Sequence, residues 1–340
     1  MKNVMVTGGM GFIGSNFIRY VLSSIPDFKV VNVDKLTYAG NPENLRDIEK
    51  EYENRYQFYR ADICDFETID KIISRHHINY IINFAAESHV DRSIENPNIF
   101  CDTNISGTQT LLNLARKYEI EKFLQISTDE VYGSLNFDDP PFTESTLLSP
   151  NNPYSASKAS ADLLVKSYFK TYNLPINITR CSNNYGPYQF PEKMIPLMIN
   201  NALSDKKLPV YGEGINIRDW IYVTDHCSAI LKVLLNGKPG EVYNIGGDGE
   251  ISNIELVKKI LNLLDKPKSL ITFVKDRPGH DLRYAINYSK INSELNWEPT
   301  IKLEEGLKLT VDWYLNNREW LQHVISRDYL NYYKKQYGTI

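Results

Sequence analysis

Apolar residues in the first half of the chain fall into short, dense runs separated by longer amphipathic stretches. NVMVT (3–7), KVVNVD (29–34), QFYRAD (57–62), YIINFAA (80–86), KFLQIS (122–127) and INITR (176–180) are rich in Val, Ile and Phe. Most are bounded by turn or helix-start residues, which predicts strands. Between them lie helical patterns, among them NISGTQTLLNLARKYE (104–119) and YSASKASADLLVKSYFKTY (154–172). Apolar strands alternating with helices predict a parallel sheet covered on both faces, a doubly wound α/β fold.

Beyond residue 180 this rhythm breaks. NNYGPYQFPEKMIP holds too much Pro, Gly and Asn for one helix and predicts a loop. LPVYG and EVYNIGG predict short strands, with helical patterns near 225–235 and 252–264. The expectation is a nucleotide-binding domain over 1–180, to which later segments can return, and a smaller mixed α/β substrate lobe over 181–340 interleaved with it. A length of 340 residues, beyond what a single core usually serves, agrees with two lobes. The C-terminal stretch NREWLQHVISRDYLNYYKKQYG is amphipathic and aromatic and reads as a surface helix.

Composition narrows the partners. With 42% hydrophobic and 24% charged residues the chain is an ordinary globular protein, not a disordered or fibrous one. A net charge of −4, without a basic cluster, disfavours nucleic acid and anionic lipid as partners. No apolar run approaches the roughly 18 residues of a membrane span, and a first strand starting at Asn3 leaves no room for a signal peptide. Cys64, Cys101, Cys181 and Cys227 are scattered and form no Cys-x-x-Cys pair, which predicts buried thiols in a reducing compartment, the cytoplasm. No metal site is expected.

The first chemistry-bearing motif is VTGGMGFIGSN, in which Gly8-x-x-Gly11-x-x-Gly14 lies between strand 1 and a helix. Glycines there permit a tight turn and let backbone amides approach a pyrophosphate at the positive end of the helix. A lone triplet is weak evidence, but Asp34 follows Gly14 by twenty residues at the end of strand 2. A carboxylate so placed binds ribose hydroxyls and repels a 2′-phosphate, which predicts a Rossmann-type domain holding NAD rather than NADP. Asp62, ending strand 3, fits either an adenine contact or a cap for the next helix. Ala85 and Ala86 in FAAESHVDRS are small enough for a cofactor to approach the backbone, while His89 reads as a satisfied loop residue.

The second motif is Tyr154-x-x-x-Lys158, opening a helix in NNPYSASKASAD. A spacing of four puts both side chains on one helical face, where an ammonium favours the phenolate and lowers the tyrosine pKa. Such a phenol can take a hydroxyl proton while hydride leaves. The spacing alone arises by chance on solvated faces; the glycine loop, Asp34 and a hydroxyl at Thr128 after strand 5 give it weight. Strand 5 then runs into Asp129 and Glu130. Two acids in a turn are often merely solvated, but at the tip of a central strand they can supply an acid and a base, since ionising both is unfavourable.

Thr128-Asp129-Glu130 followed by VYG, SNNYGPYQFPEKMIP (182–196) and DRPGHDLRY (276–284) carry a clear resemblance over roughly residues 1–315. The chain resembles the extended short-chain dehydrogenases/reductases, the NAD-dependent epimerase/dehydratase family, and within it the nucleotide-sugar 4,6-dehydratases. Met10, where a small residue is usual, and Met194, where Leu is common, are slight departures. The resemblance implies a lyase that oxidises a sugar at C4 with bound NAD, expels water across C5–C6 and returns the hydride to C6, early in the route to rhamnose-type sugars. It implies Thr128, Asp129, Glu130, Tyr154 and Lys158 as the catalytic set, with Thr128 holding the sugar, Asp129 the acid and Glu130 the base. The cofactor set is then Gly8, Gly11, Phe12, Ile13, Gly14, Asp34, Lys35, Leu36, Thr37, Asp62, Ile63, Phe84, Ala85, Ala86, Ser88, Thr103, Tyr154, Lys158 and Asn184.

A nucleoside diphosphate needs cations, preferably the planar fork of arginine. Arg218 in GINIRDW and Arg277 in DRPGHD are the candidates, and the resemblance gives them that role. It adds Ser88, Thr128, Asn183, Lys193, Met194, Pro209, Val210, Tyr211, Asn253, Asp276, His280 and Asp281 to the substrate set. It implies dTDP-glucose as substrate and a homodimer through a four-helix interface, with helices 104–119 and 154–172 the expected contributors. Open alternatives are a UDP-, CDP- or GDP-sugar 4,6-dehydratase, an epimerase in which Asp129 and Glu130 would be idle, and a non-catalytic NAD-responsive scaffold.

Overall fold

The computed structural model describes residues 1–325. Six strands alternate with helices in the first half: β1 Lys2–Thr7, β2 Phe28–Asp34, β3 Tyr56–Arg60, β4 Tyr80–Asn83, β5 Lys122–Thr128 and β6 Ile176–Cys181. Seven shorter ones follow: β7 Asn183–Tyr185, β8 Leu208–Tyr211, β9 Ile217–Arg218, β10 Trp220–Tyr222, β11 Val242–Ile245, β12 Ile251–Ser252 and β13 Ile271–Val274.

One seven-stranded sheet runs β11-β6-β5-β4-β1-β2-β3, with every neighbouring pair parallel. The chain winds outward from β1 to β3, then crosses to β4 on the other side of β1. The strand order reverses there, which opens a crevice at the carboxyl ends of β1 and β4. Register lines up the tips: Thr7 lies beside Val33 and Asn83, and Thr128 beside Cys181.

Alternation along the strands divides the core between the two faces. Val4 and Val6 of β1 pack with Phe17, Ile82, Leu124, Ile230 and Ile245, under the helices Phe12–Ser24 and Val223–Asn236. Met5 points the other way, to Ile81, Phe123, Ile178, Ile72, Leu112 and Val165, under Phe66–His76, Thr108–Lys117 and Pro153–Tyr172. EVYNIGG therefore supplies β11, the last strand of the large sheet, and the helix Val223–Asn236 returns with it. A separate core of Ile195, Met198, Leu208, Val210, Leu256, Ile260, Leu307 and Tyr314 surrounds three two-stranded ribbons, β10-β7, β12-β9 and β13-β8.

Three expectations need correction. The helix expected over 104–119 starts at Pro97 and passes through a wide π-helical turn, Cys101–Gly107, before Thr108–Lys117. Inside that turn the buried Asn104 exchanges two hydrogen bonds with the Glu87 backbone, at 2.9 and 3.0 Å, and donates to Ser157 Oγ at 2.8 Å. Such bulges accompany functional sites. The expected loop after 182 holds β7, and a helix opens at Met194. Only Cys181 and Cys227 are buried; Cys64 and Cys101 are exposed, and all four are unpaired. The helix Arg318–Val324 is amphipathic as expected: it leaves Arg318, Glu319, Gln322 and His323 exposed and buries Trp320, Leu321 and Val324, with Trp320 Nε1 donating to Asn44 Oδ1 at 2.9 Å. The rest of the aromatic C-terminal stretch lies outside the described residues. Among the described residues no helix is long and apolar enough to cross a membrane.

Candidate active site

The glycine loop divides its tasks. Gly8 has φ +70°, and a Cβ there would lie 2.6 Å from Ala85 N; a Cβ on Gly14 would lie 2.4 Å from Gly8 O. Both glycines are thus required by the protein's own packing. Gly11 is different: its Cβ would meet only Gly8 O, at 3.3 Å, and it faces a cavity as the N-terminal residue of the helix Phe12–Ser24, with no side-chain cap. Amides left open toward a cavity at a helix N-terminus suit a phosphate.

Asp34 is fixed beside them, accepting from Met10 N at 3.0 Å and Leu36 N at 2.7 Å. Burial pushes its carboxyl up, against those two amides. Met10, buried beneath the loop, also accepts from Asn44 Nδ2 at 2.9 Å. Asp62 pairs with Lys35 at 2.6 Å and accepts from Cys64 N at 2.9 Å. The cap of the following helix is Asp65, which accepts from Thr68 N at 3.1 Å.

These groups line a cavity of about 310 Å³ at the crevice. It collects Gly8, Gly11, Phe12, Ile13, Gly14, Asp34, Lys35, Thr37, Asp62, Ile63, Phe84, Ala85, Ala86, Ser88, Thr103, Asn184, Thr128, Asp129, Glu130, Tyr154 and Lys158. Leu36 is the exception: it turns back at φ +57° and packs against the core beneath. The sequence reading missed Cys181, Ser182, Gln189, Phe190 and Glu192 on this wall. Most lie within the SNNYGPYQFPEK stretch, whose density of polar and aromatic residues was the available signal.

The helix carrying Tyr154 starts at a capping box. Asn152 Oδ1 accepts from Ser155 N at 2.9 Å, and Pro153 occupies the first turn. Tyr154 and Lys158 share a face as expected, but their electrostatics differ from expectation. Lys158 Nζ donates to Ile126 O at 2.6 Å. Burial pushes the Tyr154 phenol well up, with Glu130 adding to the effect, and pushes the Lys158 ammonium down. The expected lowering of the tyrosine does not occur among protein groups alone, because desolvation of the phenolate, with Glu130 beside it, outweighs the lowering by the Thr128 hydroxyl.

The strand tip carries Asp129 and Glu130 to the wall of the cavity. After β5, Asp129–Tyr132 form a single 3₁₀ turn whose Glu130 N is capped by Thr128 Oγ1 at 3.3 Å. Thr128 also donates to Asp129 Oδ1 at 3.2 Å. Asp129 is buried, and its pKa is pushed well up, first by burial, then by the negative neighbours Glu130 and Asp219. Glu130 is also raised by burial but faces Arg277, Lys193 and Arg218, which all pull it down. The two carboxyls therefore differ in surroundings: anions dominate around Asp129, with Arg218 a smaller opposing charge, and cations dominate around Glu130, with Asp281 opposing them.

Glu130, Ser88, Asn183, Asn184 and Lys193 also border a second cavity of about 180 Å³, so the two spaces meet at Glu130, with Asp129 on the first alone. Met194, Pro209, Val210, Tyr211, Arg218, Asn253, Arg277 and His280 line it. Asp276 and Asp281 do not. Asp276 pairs with His280 Nδ1 at 2.6 Å, and Asp281 accepts from Asn151 Nδ2 at 2.6 Å and from Tyr284 OH. Asp91 was missed; it holds Arg277 at 3.3 Å and accepts from Tyr211 OH at 3.2 Å. His89 is also on this wall, buried, its imidazolium disfavoured by desolvation and by Lys193. Asn184 is already held, accepting from buried His226 Nδ1 at 2.8 Å and donating to Ser182 O at 3.0 Å.

A parallel sheet with a glycine loop at its switch point, a Tyr-x-x-x-Lys helix and a second cavity bearing arginines define an extended short-chain dehydrogenase/reductase. The chain belongs to the family described as GDP-mannose 4,6 dehydratase, whose model matches residues 5–310. It is 51% identical to dTDP-glucose 4,6-dehydratase of Escherichia coli, over 96% of this chain and 97% of that protein. Two solved dTDP-glucose 4,6-dehydratases are similar in structure. That from Bacillus anthracis, in complex with NAD, has a TM-score of 0.89 and 52% identity, covering 95% of this chain and 100% of the other. That from Streptomyces venezuelae, with NAD and a dTDP ligand bound, has a TM-score of 0.91 and 45% identity, covering 95% and 99%.

Proposed function

We propose that this protein converts dTDP-glucose to dTDP-4-keto-6-deoxyglucose. The observation that carries the reading is the buried Asp129 in the first cavity beside Glu130, which borders both, the one carboxyl mainly among anions and the other mainly among cations. An epimerase or a scaffold has no use for such a pair.

Gly11 and the helix amides behind it fit a pyrophosphate, and Asp34 fits the adenosine ribose hydroxyls, so the first cavity suits NAD. Bound there, NAD would supply a hydride acceptor for C4 and, once reduced, the donor of that hydride to C6. Tyr154 takes the proton of the 4-hydroxyl, with Lys158 beneath it and Thr128 holding the oxygen. The resulting ketone acidifies the C5 hydrogen, which Glu130 removes. Asp129, kept protonated by its surroundings, gives its proton to the C6 hydroxyl as water leaves, and Glu130 returns a proton to C5. Arg218 and Arg277 hold the diphosphate in the second cavity, and Pro209–Tyr211, Met194, Lys193, Asn183, Asn253 and His280 hold the rest of the nucleotide and the sugar.

Identities of about half the chain to proteins named dTDP-glucose 4,6-dehydratase favour the dTDP sugar over the UDP, CDP and GDP alternatives. Incubation with each of the four nucleotide-linked sugars should give the alkali-developed absorbance of a 4-keto product with dTDP-glucose foremost. A larger signal with GDP-mannose or UDP-glucose would overturn the choice of base. We also read the chain as a cytoplasmic homodimer. The unpaired cysteines suit a reducing compartment. The exposed Leu163 and Tyr172 on the helix Pro153–Tyr172, with the exposed Ile94 and Ile99 on the helices Val90–Glu95 and Pro97–Phe100 packed against it, offer apolar surface for a partner copy. Sedimentation should give twice the 39.2 kDa chain mass at micromolar concentration, and a monomer there would contradict the dimer.

A further inference from the structure

Behind the two catalytic elements lies an ion pair that the reaction does not touch. Arg180 of β6, beside Ser127 in the sheet, is 1% exposed. Its Nε donates to Asp162 Oδ2 at 2.8 Å, and its Nη1 donates to Tyr132 OH at 3.0 Å. Asp162 stands one helical turn beyond Lys158 on the same face, so this arm ends on the helix that carries Tyr154 and Lys158. Tyr132 closes the 3₁₀ turn that begins with Asp129 and Glu130, so the other arm ends on the acid pair. The Tyr132 hydroxyl passes its own proton to Asn244 Oδ1 at 2.7 Å, and its ring lies 4.8 Å from the guanidinium and stacks on Phe142.

We propose that Arg180 is a positioning residue that sets the oxidising helix and the eliminating turn against one another, one arm through Asp162 and the other through Tyr132. A purely stabilising role fits poorly. Arg180 Nη2 and Asp162 Oδ1 are buried without a protein partner, and a matched apolar pair serves stability at least as well as a buried ion pair. What a planar guanidinium adds is direction: it fixes two partners on two different elements at set angles. The reaction needs that, because the same sugar must present C4 to Tyr154 and C5–C6 to Glu130 and Asp129 without leaving the site.

The inference rests on the dehydratase reading and is tested once the unaltered protein has been shown to dehydrate dTDP-glucose; if it does not, that reading fails first. Tyr132→Phe keeps the ring and cuts the arm to the acid turn together with the hydroxyl's bond to Asn244, while the arm to Asp162 stays intact. Under single turnover its elimination should slow about tenfold or more while C4 oxidation changes little, so NADH absorbance should build up beyond that of the parent. Arg180→Met/Asp162→Leu removes both charges together; with NAD content and Tm close to the parent, both steps should slow, and Arg180→Lys should recover part of the loss. Should the double variant not fold, Tyr132→Phe decides alone. Turnover by Tyr132→Phe within about twofold of the parent, or equal slowing of its two steps with no added NADH, overturns the proposal.

Discussion

Glu130→Gln and Asp129→Asn are each expected to bind NAD as the parent does, to oxidise C4, and to lose elimination by about a hundredfold to ten-thousandfold. Gln cannot take the C5 proton, and Asn cannot give one to the departing hydroxyl. Rapid-mixing absorbance should then show NADH that forms and persists, since the hydride has no C6 to return to. Dehydration at the parent rate by both variants would remove the acid–base assignment. The two side chains also set the pH dependence in the parent. Elimination should fall as pH drops through the Glu130 pKa, when the base is lost, and as pH rises through the elevated Asp129 pKa, when the acid is lost. Stability follows the same shift. A carboxyl whose folded-state pKa lies above its unfolded value binds its proton more tightly when folded, so this contribution favours folding at low pH and is lost as pH rises from the unfolded value through the folded one. Asp129→Asn should therefore raise Tm at pH 8 by about a few degrees while abolishing water loss, as expected where a site holds a charge against burial.

Tyr154→Phe is expected to stop the first step as well. Its phenolate is the group proposed to take the 4-hydroxyl proton, and burial together with Glu130 pushes the phenol pKa up, so this step should slow as pH falls. Its proton relay has to run in step with loss of hydride, and Phe has no atom for it. Turnover should drop about a hundredfold or more, with no NADH absorbance under single turnover. That separates it from the acid-pair variants, in which NADH persists. NADH formation at the parent rate by Tyr154→Phe would transfer the base role to another group, with Thr128 the nearest hydroxyl on the strand tip.

Much of this was legible in the residues because it is local. Strand and helix periods in the first half, the Gly8–Gly11–Gly14 spacing, Asp34 at a strand end and Tyr154 four residues before Lys158 each depend on chain geometry over a few residues, which a sequence states directly. Asp129 and Glu130 at a strand tip were legible in the same way. What only the tertiary structure decided depends on groups far apart in the chain. It returned Val242–Ile245 to the large sheet, placed Leu36 off the cavity wall, and turned Asp276 and Asp281 toward His280, Asn151 and Tyr284. It also reversed the expected shift of Tyr154, since desolvation is a sum over every neighbour and Glu130 adds to it. The split of the acid pair has the same origin. Adjacent in sequence, the two carboxyls look alike; Asp219 against one and Arg218, Lys193 and Arg277 against the other, drawn in from three later segments, make them different.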